Sequence, residues 1–211
     1  ARSGVRSGHV VDLGCGGGTW ARTLVENRYA VTGIDLSPAM IALARQRTPE
    51  ATFHAGSFFV LDLPPCDAIT CLGEGFNYAF DDAAGPDGLL HLFQKIHAAL
   101  HPGGVLLFDI ALPGQAKPSP RTGGKEGEGW AILFMAEEDR EAKTLTRRIT
   151  TFREVEGGVY RREHEIHQQR LYEKEEIAEL LEQAGFRSRS SRGYGAYKPP
   201  RPHAVFVATR P

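Results

Sequence analysis

The sequence has little of what marks a membrane protein or a protein that binds nucleic acids. No run approaches the roughly 18 consecutive apolar residues that a membrane-spanning helix requires. Lys and Arg number 25 against 26 Asp and Glu, so the net charge of -1 lacks the basic surplus of proteins that bind phosphate backbones. We therefore expect neither a membrane nor a nucleic acid as the partner.

Cysteine is also scarce. The three residues Cys15, Cys66 and Cys71 are an odd number without the spacing of a metal site, so we predict reduced thiols, no disulfide framework and no bound metal. The chain opens on Ala1-Arg2-Ser3-Gly4, without the pattern of a signal peptide. Together these features predict a cytoplasmic protein.

What the sequence does contain is a regular alternation of strand and helix patterns. The 211 residues, 41% of them hydrophobic and 24% charged, fit one globular domain or one domain with an insertion. Between residues 9 and 110, strand patterns alternate four times with helix patterns. Ser37-Pro38 is a typical helix start, because serine caps a helix and proline fits its first turn. The alternation predicts a parallel sheet with helices on both faces.

The pattern changes after residue 112. Residues 112–129 are rich in Pro, Gly and Lys, and we predict a mobile loop there. Tight polar links then separate three strand patterns and predict an antiparallel meander over residues 130–137, 144–154 and 159–170. A helix pattern ended by Gly185 precedes two further strand patterns, at residues 186–190 and 204–208.

The most informative stretch is the glycine-rich turn that follows the first strand pattern. Gly14, Gly16 and Gly18 allow a sharp turn and a close approach of the backbone to a ligand. Asp35, at the end of the second strand pattern, can accept both hydroxyls of an adenosine ribose. Glycines and acid together predict a nucleoside-containing cofactor, whereas a structural turn and a solvated Asp explain the pair poorly.

The charge near this turn helps to choose between cofactors. Residues 16–21 also fit the loose dinucleotide pattern, so an NAD-dependent oxidoreductase stays an alternative. A dinucleotide would place its anionic pyrophosphate close to Asp12, and no Lys or Arg lies between Asp12 and Ala21. S-adenosylmethionine carries a cationic ammonium and a cationic sulfonium, which suit this acid. We therefore favour S-adenosylmethionine.

Three motifs make the sequence resemble class I S-adenosylmethionine-dependent methyltransferases of the small-molecule type. They are Asp12-Leu13-Gly14-Cys15-Gly16-Gly17-Gly18, Gly33-Ile34-Asp35-Leu36-Ser37-Pro38-Ala39-Met40 and Pro102-Gly103-Gly104-Val105. The resemblance implies an α/β fold with a Rossmann-like, seven-stranded, mostly parallel sheet whose last strand is antiparallel. It also divides the chain into a cofactor-binding domain, residues 1–112 and 173–211, and an antiparallel β lid inserted after the fifth strand, residues 129–172.

The resemblance further implies which residues bind S-adenosylmethionine and its product S-adenosylhomocysteine. The glycine turn would line the methionine part, Asp35 the ribose, and Leu36 and Met40 the adenine face. Members of the family often carry an Asp where Ser57 stands, and they usually carry one or two helices before the first strand, where this chain has eight residues. The full implied set is Asp12, Gly14, Cys15, Gly16, Gly18, Trp20, Asp35, Leu36, Met40, Gly56, Ser57, Phe58, Cys71, Leu72 and Gly73.

The acceptor side is less marked, because methyl transfer is an in-line displacement that needs alignment and a dry pocket more than acid-base groups. The third lid strand places His167 on one face and, on the other, Tyr160, Arg162, His164, Ile166, Gln168, Arg170 and Tyr172. His164 or His167 can act as a general base, and a packed or solvated lid histidine is the alternative. An ion pair with Glu173 or Glu175 is the alternative role for Arg170. The predicted acceptor contacts are Asn77, Tyr78, Asp109, His164, Arg170 and Tyr194.

The function that this sequence predicts is transfer of a methyl group to a small-molecule acceptor, with N-methylation slightly favoured. An RNA methyltransferase with the same cofactor and a non-catalytic binding module stay alternatives, beside the NAD-dependent oxidoreductase. A homodimer is one of the assembly states that the sequence leaves open.

Overall fold

The computed structural model describes residues 7–117, 119–199 and 202–211 of the protein. Within these residues, eleven strands form two separate sheets. In chain order the strands are β1 (Gly8–Leu13), β2 (Tyr29–Asp35), β3 (Thr52–Ala55), β4 (Cys66–Cys71), β5 (Leu100–Ala111), β6 (Arg121–Gly127), β7 (Trp130–Asp139), β8 (Thr144–Val155), β9 (Val159–Arg170), β10 (Arg187–Ser191) and β11 (His203–Thr209).

The larger sheet has seven strands in the order β10-β11-β5-β4-β1-β2-β3. Strands β1 to β5 are parallel to one another, whereas β11 runs antiparallel between β5 and β10. This confirms the predicted α/β class with its antiparallel last strand. The carboxyl ends of β1, β2, β4 and β5 meet at one edge of the sheet, and the strand order reverses there between β1 and β4. Ligands bind at this position in open parallel sheets.

The α-helices of the described residues are α1 (Thr19–Glu26), α2 (Pro38–Arg47), α3 (Pro86–Ala99) and α4 (Lys174–Gln183). The Ser37 hydroxyl accepts a hydrogen bond from the Met40 amide at 3.3 Å and caps α2, as predicted. Gly185 follows α4 with a φ of +91°, and the Phe186 amide donates across it to the Leu181 carbonyl. In the same ranges, none of the helices has the length and apolar character needed to cross a membrane.

Each face of the large sheet has its own apolar core, because neighbouring residues of a strand point to opposite faces. Val11 on β1 packs into the cluster with α3 and α4, whereas Val10 packs into the cluster with α1 and α2. In the larger cluster the rings of Phe76, Phe93 and Phe108 have centroids 5.1 to 5.6 Å apart. Burial of such side chains contributes roughly 1.5–3 kcal/mol each, and it fixes the strand ends that carry the site.

The second sheet, which we call the lid sheet, has four antiparallel strands in the order β6-β7-β8-β9. The predicted meander is confirmed as β7, β8 and β9, but the predicted loop is wrong over Arg121–Gly127, where β6 pairs with β7. A Cβ added at Gly123 would lie 2.6 Å from the Phe134 ring. The glycines of β6 therefore make room for side chains of β7, although their composition is typical of a loop. The division of the chain into a domain and an inserted lid stays a prediction.

Two further boundaries differ from the sequence expectation. Residues 101–104 have the Pro-Gly-Gly composition that predicts a turn, yet they lie within strand β5, which begins at Leu100, and the Gly103 amide donates to the Arg210 carbonyl at 2.9 Å. Strand β9 ends at Arg170, so Tyr172 does not continue the lid face on which it was predicted. Tyr172 is instead buried in the larger apolar core.

Candidate active site

The glycine turn after β1 brings the backbone to the edge of the sheet. Gly14, Gly16 and Gly18 have φ values of +68°, +52° and +78°, conformations that favour glycine. A Cβ added at Gly14 or Gly16 would have no atom within 4 Å, so both residues border open space. A Cβ at Gly18 would lie 3.0 Å from Ala44, so Gly18 serves the packing of this turn on α2. The turn therefore presents the backbone of Gly14 and Gly16 to a ligand.

Asp35 lies beside this turn at the end of β2. Its Oδ2 accepts a hydrogen bond from the Gly16 amide at 2.8 Å, and its Oδ1 accepts one from the Ser37 amide at 2.9 Å. Each carboxylate oxygen has a further lone pair. The carboxylate is thus fixed in place and can still accept the two hydroxyls of a ribose.

Asp12, near the end of β1, is only 3% exposed. Its Oδ1 accepts a hydrogen bond from the Thr70 hydroxyl at 2.7 Å. Burial raises the pKa of Asp12 to about 7, the Thr70 hydrogen bond opposes this shift, and the charge of Asp35 adds to it. A cation at this site would stabilise ionised Asp12, whereas the pyrophosphate of a dinucleotide would meet two acids. The two acids Asp12 and Asp35 therefore suit the cationic groups of S-adenosylmethionine.

A cleft of about 210 Å³, which we call the cofactor cleft, lies between the glycine turn and the loop that follows β4. Of the residues predicted to bind the cofactor, those that line it are Gly14, Asp35, Leu36, Ser57, Phe58, Leu72 and Gly73. Tyr78, predicted as an acceptor contact, lines this cleft as well. The sequence did not single out Phe59, Gly75, Phe80 and Asp81, which complete the lining.

The side chains of other predicted cofactor residues lie outside this cleft. Cys15 and Cys71 are buried in the apolar cores, where burial raises the pKa of each thiol. Trp20 lines a separate apolar groove between α1 and the large sheet. Met40 is exposed on α2, and the Gly56 amide donates to the backbone of β2 at 2.9 Å. The roles of these residues in cofactor binding stay predictions.

A second cavity of about 380 Å³ adjoins the cofactor cleft. The two spaces share Leu72 and Gly73, which follow the carboxyl end of β4. The other residues that line the second cavity come from widely separated parts of the chain: Glu74, Asp109, Arg147, Tyr194, Tyr197, Pro199 and His203. A molecule in the second cavity is therefore next to a molecule in the cofactor cleft.

Asp109 and Tyr194 form a hydrogen-bonded pair in the wall of the second cavity. The Tyr194 hydroxyl donates to Asp109 Oδ1 at 2.6 Å, and the same oxygen accepts the Gly73 amide at 2.8 Å. Burial raises the pKa of Tyr194 well above its usual value, and the hydrogen bond to Asp109 and the charge of Asp109 raise it further. The phenol therefore keeps its proton at neutral pH.

Glu74 connects three elements beside this pair. Its φ of +65° is unusual for a residue with a side chain. Its carboxylate lies 2.6 Å from His203 Nε2 on β11, 2.8 Å from Gln169 Nε2 on β9 and 3.0 Å from the Arg147 guanidinium on β8. Although burial opposes ionisation, these bonds lower the pKa of Glu74 to about 2. Glu74 thus holds the lid sheet and β11 to the loop after β4.

The predicted acceptor contacts do not form one group. Asp109 and Tyr194 line the second cavity. Asn77 is 1% exposed, and its amide donates to carbonyls at the ends of β5 and β9, so its role is to hold the lid sheet to the large sheet. Arg170 lies near the Tyr172 ring and pairs with Glu176 at 3.6 Å, a different partner from those predicted.

The two lid histidines lie in different surroundings. His164 is exposed, and its Nδ1 lies 3.2 Å from the Thr150 hydroxyl. His167 is on the opposite face of β9, where its ring packs edge-on against Tyr78 and Phe80 beside the cofactor cleft. Neither histidine lines the second cavity. Across the part of the chain that the structure describes, no group of three or more His, Cys, Asp and Glu side chains is arranged to hold a metal ion.

Sequence reasoning missed Glu74, Arg147 and His203. No local pattern marks Arg147 or His203, because they meet Glu74 only when the lid sheet and β11 are in place. Glu74 did carry a signal, since it is a charged residue between Gly73 and Gly75 at the carboxyl end of a parallel strand.

The order of the large sheet, the glycine turn after β1 and the acids of β1 and β2 define a class I methyltransferase. Residues 10–104 match the family model described as "Methyltransferase domain". The protein is an S-adenosylmethionine-dependent methyltransferase.

Two solved structures are similar to nearly the whole of this chain, and a further relative is similar to about half of it. An S-adenosylmethionine-dependent methyltransferase from Clostridium acetobutylicum has the same fold, with a TM-score of 0.83 and 20% identity over 97% of this chain and 84% of that chain. The sugar N-methyltransferase KedS8 from Streptoalloteichus sp. is 26% identical, with a TM-score of 0.79 over 99% of this chain and 81% of that chain. The trans-aconitate 2-methyltransferase of Paracidovorax citrulli is 39% identical over 118 residues, which are 54% of this chain and 42% of that protein.

Proposed function

We propose that the protein transfers a methyl group to the amine nitrogen of a small molecule that binds in the second cavity. The observation that carries this proposal is the cavity itself, which shares Leu72 and Gly73 with the cofactor cleft. Its volume of about 380 Å³ lies within the roughly 300–1,000 Å³ of small-molecule sites. The alternative of an RNA acceptor is less well supported, because RNA binding needs a wide basic surface.

The charges around the second cavity favour an amine over a carboxylate. Asp109 and Glu74 contribute two carboxyl groups, and the side chains of Arg147 and His203 are both bonded to Glu74. A carboxylate acceptor would add a negative charge next to Asp109, whereas an amine N–H finds hydrogen-bond acceptors there. Similarity to a sugar N-methyltransferase supports the same choice, while the relative named for trans-aconitate takes an acid.

S-adenosylmethionine, when bound, supplies an electrophilic methyl group on a sulfonium. Asp35 would hold the ribose hydroxyls, and Asp12 with the backbone of Gly14 and Gly16 would face the methionine part. The lid sheet and the loop after β4 keep water from the acceptor and hold it in one orientation. Alignment and exclusion of water are the contributions that an in-line displacement requires.

The test is a methyl-transfer screen with isotopically labelled S-adenosylmethionine and matched amines, alcohols and carboxylic acids of one carbon skeleton. We expect labelled product from amines, and we expect calorimetry to show that the intact chain binds S-adenosylhomocysteine. Labelled product from carboxylic acids alone would contradict the amine proposal. Thermal stabilisation by NAD alone would favour the oxidoreductase, and labelled tRNA would favour the RNA methyltransferase.

We further propose that the enzyme is cytoplasmic and forms a homodimer. All three cysteines are buried free thiols, which supports a reducing compartment. Leu133, Tyr160 and Ile166 are exposed on one face of the lid sheet, and these three apolar side chains support contact with a second copy. Cell fractionation tests the location, and light scattering on the purified protein tests the dimer.

A further inference from the structure

Tyr194 is a side chain of the second cavity whose hydrogen-bond direction is fixed by its partner. Its hydroxyl lies 2.6 Å from Asp109 Oδ1. Asp109 also accepts the backbone amides of Gly73 and Glu74, at 2.8 and 3.3 Å. A carboxylate among such donors acts as an acceptor, so the phenol must be the donor of the pair. The Tyr194 hydroxyl thus donates its one proton to a hydrogen bond with Asp109.

What the phenol offers to a ligand is therefore its oxygen. A hydroxyl has one proton and two lone pairs, and the proton is engaged. Because Tyr194 and Gly73 bind the same Asp109 oxygen, the phenol oxygen lies beside the point where the second cavity meets the cofactor cleft. A ligand group at this point must bring a donor, which an amine does and a carboxylate or ether oxygen does not.

We infer that Tyr194 accepts a hydrogen bond from the N–H of the acceptor amine, and that it thereby sets the orientation of the amine and the extent of its methylation. This inference rests on the proposed function. With one N–H directed at Tyr194, the lone pair of the neutral amine can face the cofactor cleft. In each transfer the amine lone pair forms the N–CH₃ bond while the methyl–sulfur bond of the cofactor breaks and the sulfur keeps that electron pair; the amine then releases one N–H proton to water. A primary amine can react twice, and the tertiary amine then has no N–H in its neutral, reactive form.

The kinetic test pairs Tyr194→Phe with the control Tyr29→Phe, which removes a hydroxyl at the amino end of β2, from a residue that lines neither the cofactor cleft nor the second cavity. For an amine found by the screen, Tyr194→Phe should lower kcat/KM by at least about tenfold. The control should stay within about twofold of the wild type. Affinity for S-adenosylhomocysteine should be the same in all three proteins. Mass spectrometry of the wild-type product should show no more than two added methyl groups.

A binding test needs no turnover. Calorimetry compares cyclohexylamine with its trimethylammonium derivative on enzyme saturated with S-adenosylhomocysteine. The wild type should prefer cyclohexylamine by about tenfold, because only this probe has an N–H. The preference should vanish in Tyr194→Phe and persist in Tyr29→Phe. A wild type without the preference, or a Tyr194→Phe variant that keeps it, would overturn the inference.

The proposed function and this inference fail in distinguishable ways. A screen that yields only carboxylic acids overturns both. Amine substrates with unchanged kcat/KM in Tyr194→Phe, or a trimethylated product, overturn the inference alone. If the two probes behave as expected but no acceptor is methylated, the proposed function fails and the role of Tyr194 in binding stands.

Discussion

The cofactor cleft and the second cavity are built in different ways. The cleft consists largely of residues at or just after the end of a strand, such as Gly14, Asp35 and Gly73. The second cavity depends on partners that are distant in the chain: Asp109 and Tyr194 are 85 positions apart, and Glu74 and His203 are 129 apart. Cofactor binding is thus a property of single strand ends, whereas the acceptor side exists only when separate elements pack together. Substitutions should expose this difference.

Among these substitutions, Glu74→Ala should have the largest effect on stability, because it leaves the buried Arg147 guanidinium without its carboxylate partner. We expect the free energy of unfolding to fall by about 3 kcal/mol, measured by urea denaturation. Affinity of the folded protein for S-adenosylhomocysteine should change little. Glu137→Ala is the control, since its pair with Arg148 is largely exposed and worth less than about 1 kcal/mol. Equal losses in the two variants would show that the second cavity does not depend on Glu74.

Asp35→Ala should impair the cofactor cleft and not the second cavity. We expect it to weaken binding of S-adenosylhomocysteine by about 100-fold, because hydrogen bonds from the ribose to a charged group are lost. Calorimetry measures this effect, with Tyr194→Phe as the variant that should retain wild-type affinity. Retained affinity in Asp35→Ala would remove Asp35 from the cofactor site.

Asp12→Asn tests the electrostatics of the cofactor side. The pKa of Asp12 is about 7 in the folded protein against an ordinary value of 3.8, so the folded state holds this proton more tightly than the unfolded chain. Its contribution to stability is therefore complete below about pH 4 and is lost as the pH rises to 7. Asn should remove this loss and raise the free energy of unfolding at pH 8, by on the order of 1 kcal/mol. It should also weaken binding of the cationic S-adenosylhomocysteine ammonium.

Urea unfolding at pH 5 and pH 8 measures the first effect of Asp12→Asn. A difference between wild type and variant that is the same at both pH values would contradict the assignment of a raised pKa to Asp12.

The lid histidines should show the smallest effects. His164→Ala should leave kcat and the KM values for S-adenosylmethionine and for the acceptor within about twofold of the wild type, because the side chain is exposed. His167→Ala should weaken S-adenosylhomocysteine binding by about threefold, since its ring lies 5.7 Å from that of Tyr78 and 5.3 Å from that of Phe80, and both line the cofactor cleft. A larger effect at His164 than at His167 would reverse the assignment of the two lid faces.

Sequence patterns predicted the elements that depend on nearby residues. Ser37 and Gly185 mark helix ends through bonds that span three and five residues, and tight turns set the Trp130–Arg170 meander. Strand β6 escaped prediction because its glycines have a packing role against β7 that composition does not reveal.

The candidate site also contains residues that local sequence predicts and residues that only the packing of distant elements brings together. Asp35 and Gly73 were predictable because each lies at the carboxyl end of a parallel strand. Arg147 and His203 were not, because their position beside Glu74 depends on how the lid sheet and β11 dock. Asn77 was predicted as an acceptor contact because it lies at the ligand-binding edge of the sheet. Its amide instead donates to carbonyls at the ends of β5 and β9 and so holds these strands together.

The two hydrogen bonds of Asp109 Oδ1 have a consequence for how each ligand changes the affinity of the other. This one oxygen accepts the Gly73 amide, which borders the cofactor cleft, and the Tyr194 hydroxyl, which borders the second cavity. A ligand in the cleft that restrains Gly73 also restrains Tyr194, so the first ligand bears the entropic cost of ordering a wall that the second ligand uses. The two affinities should then be cooperative and, by thermodynamic linkage, equally so in both directions.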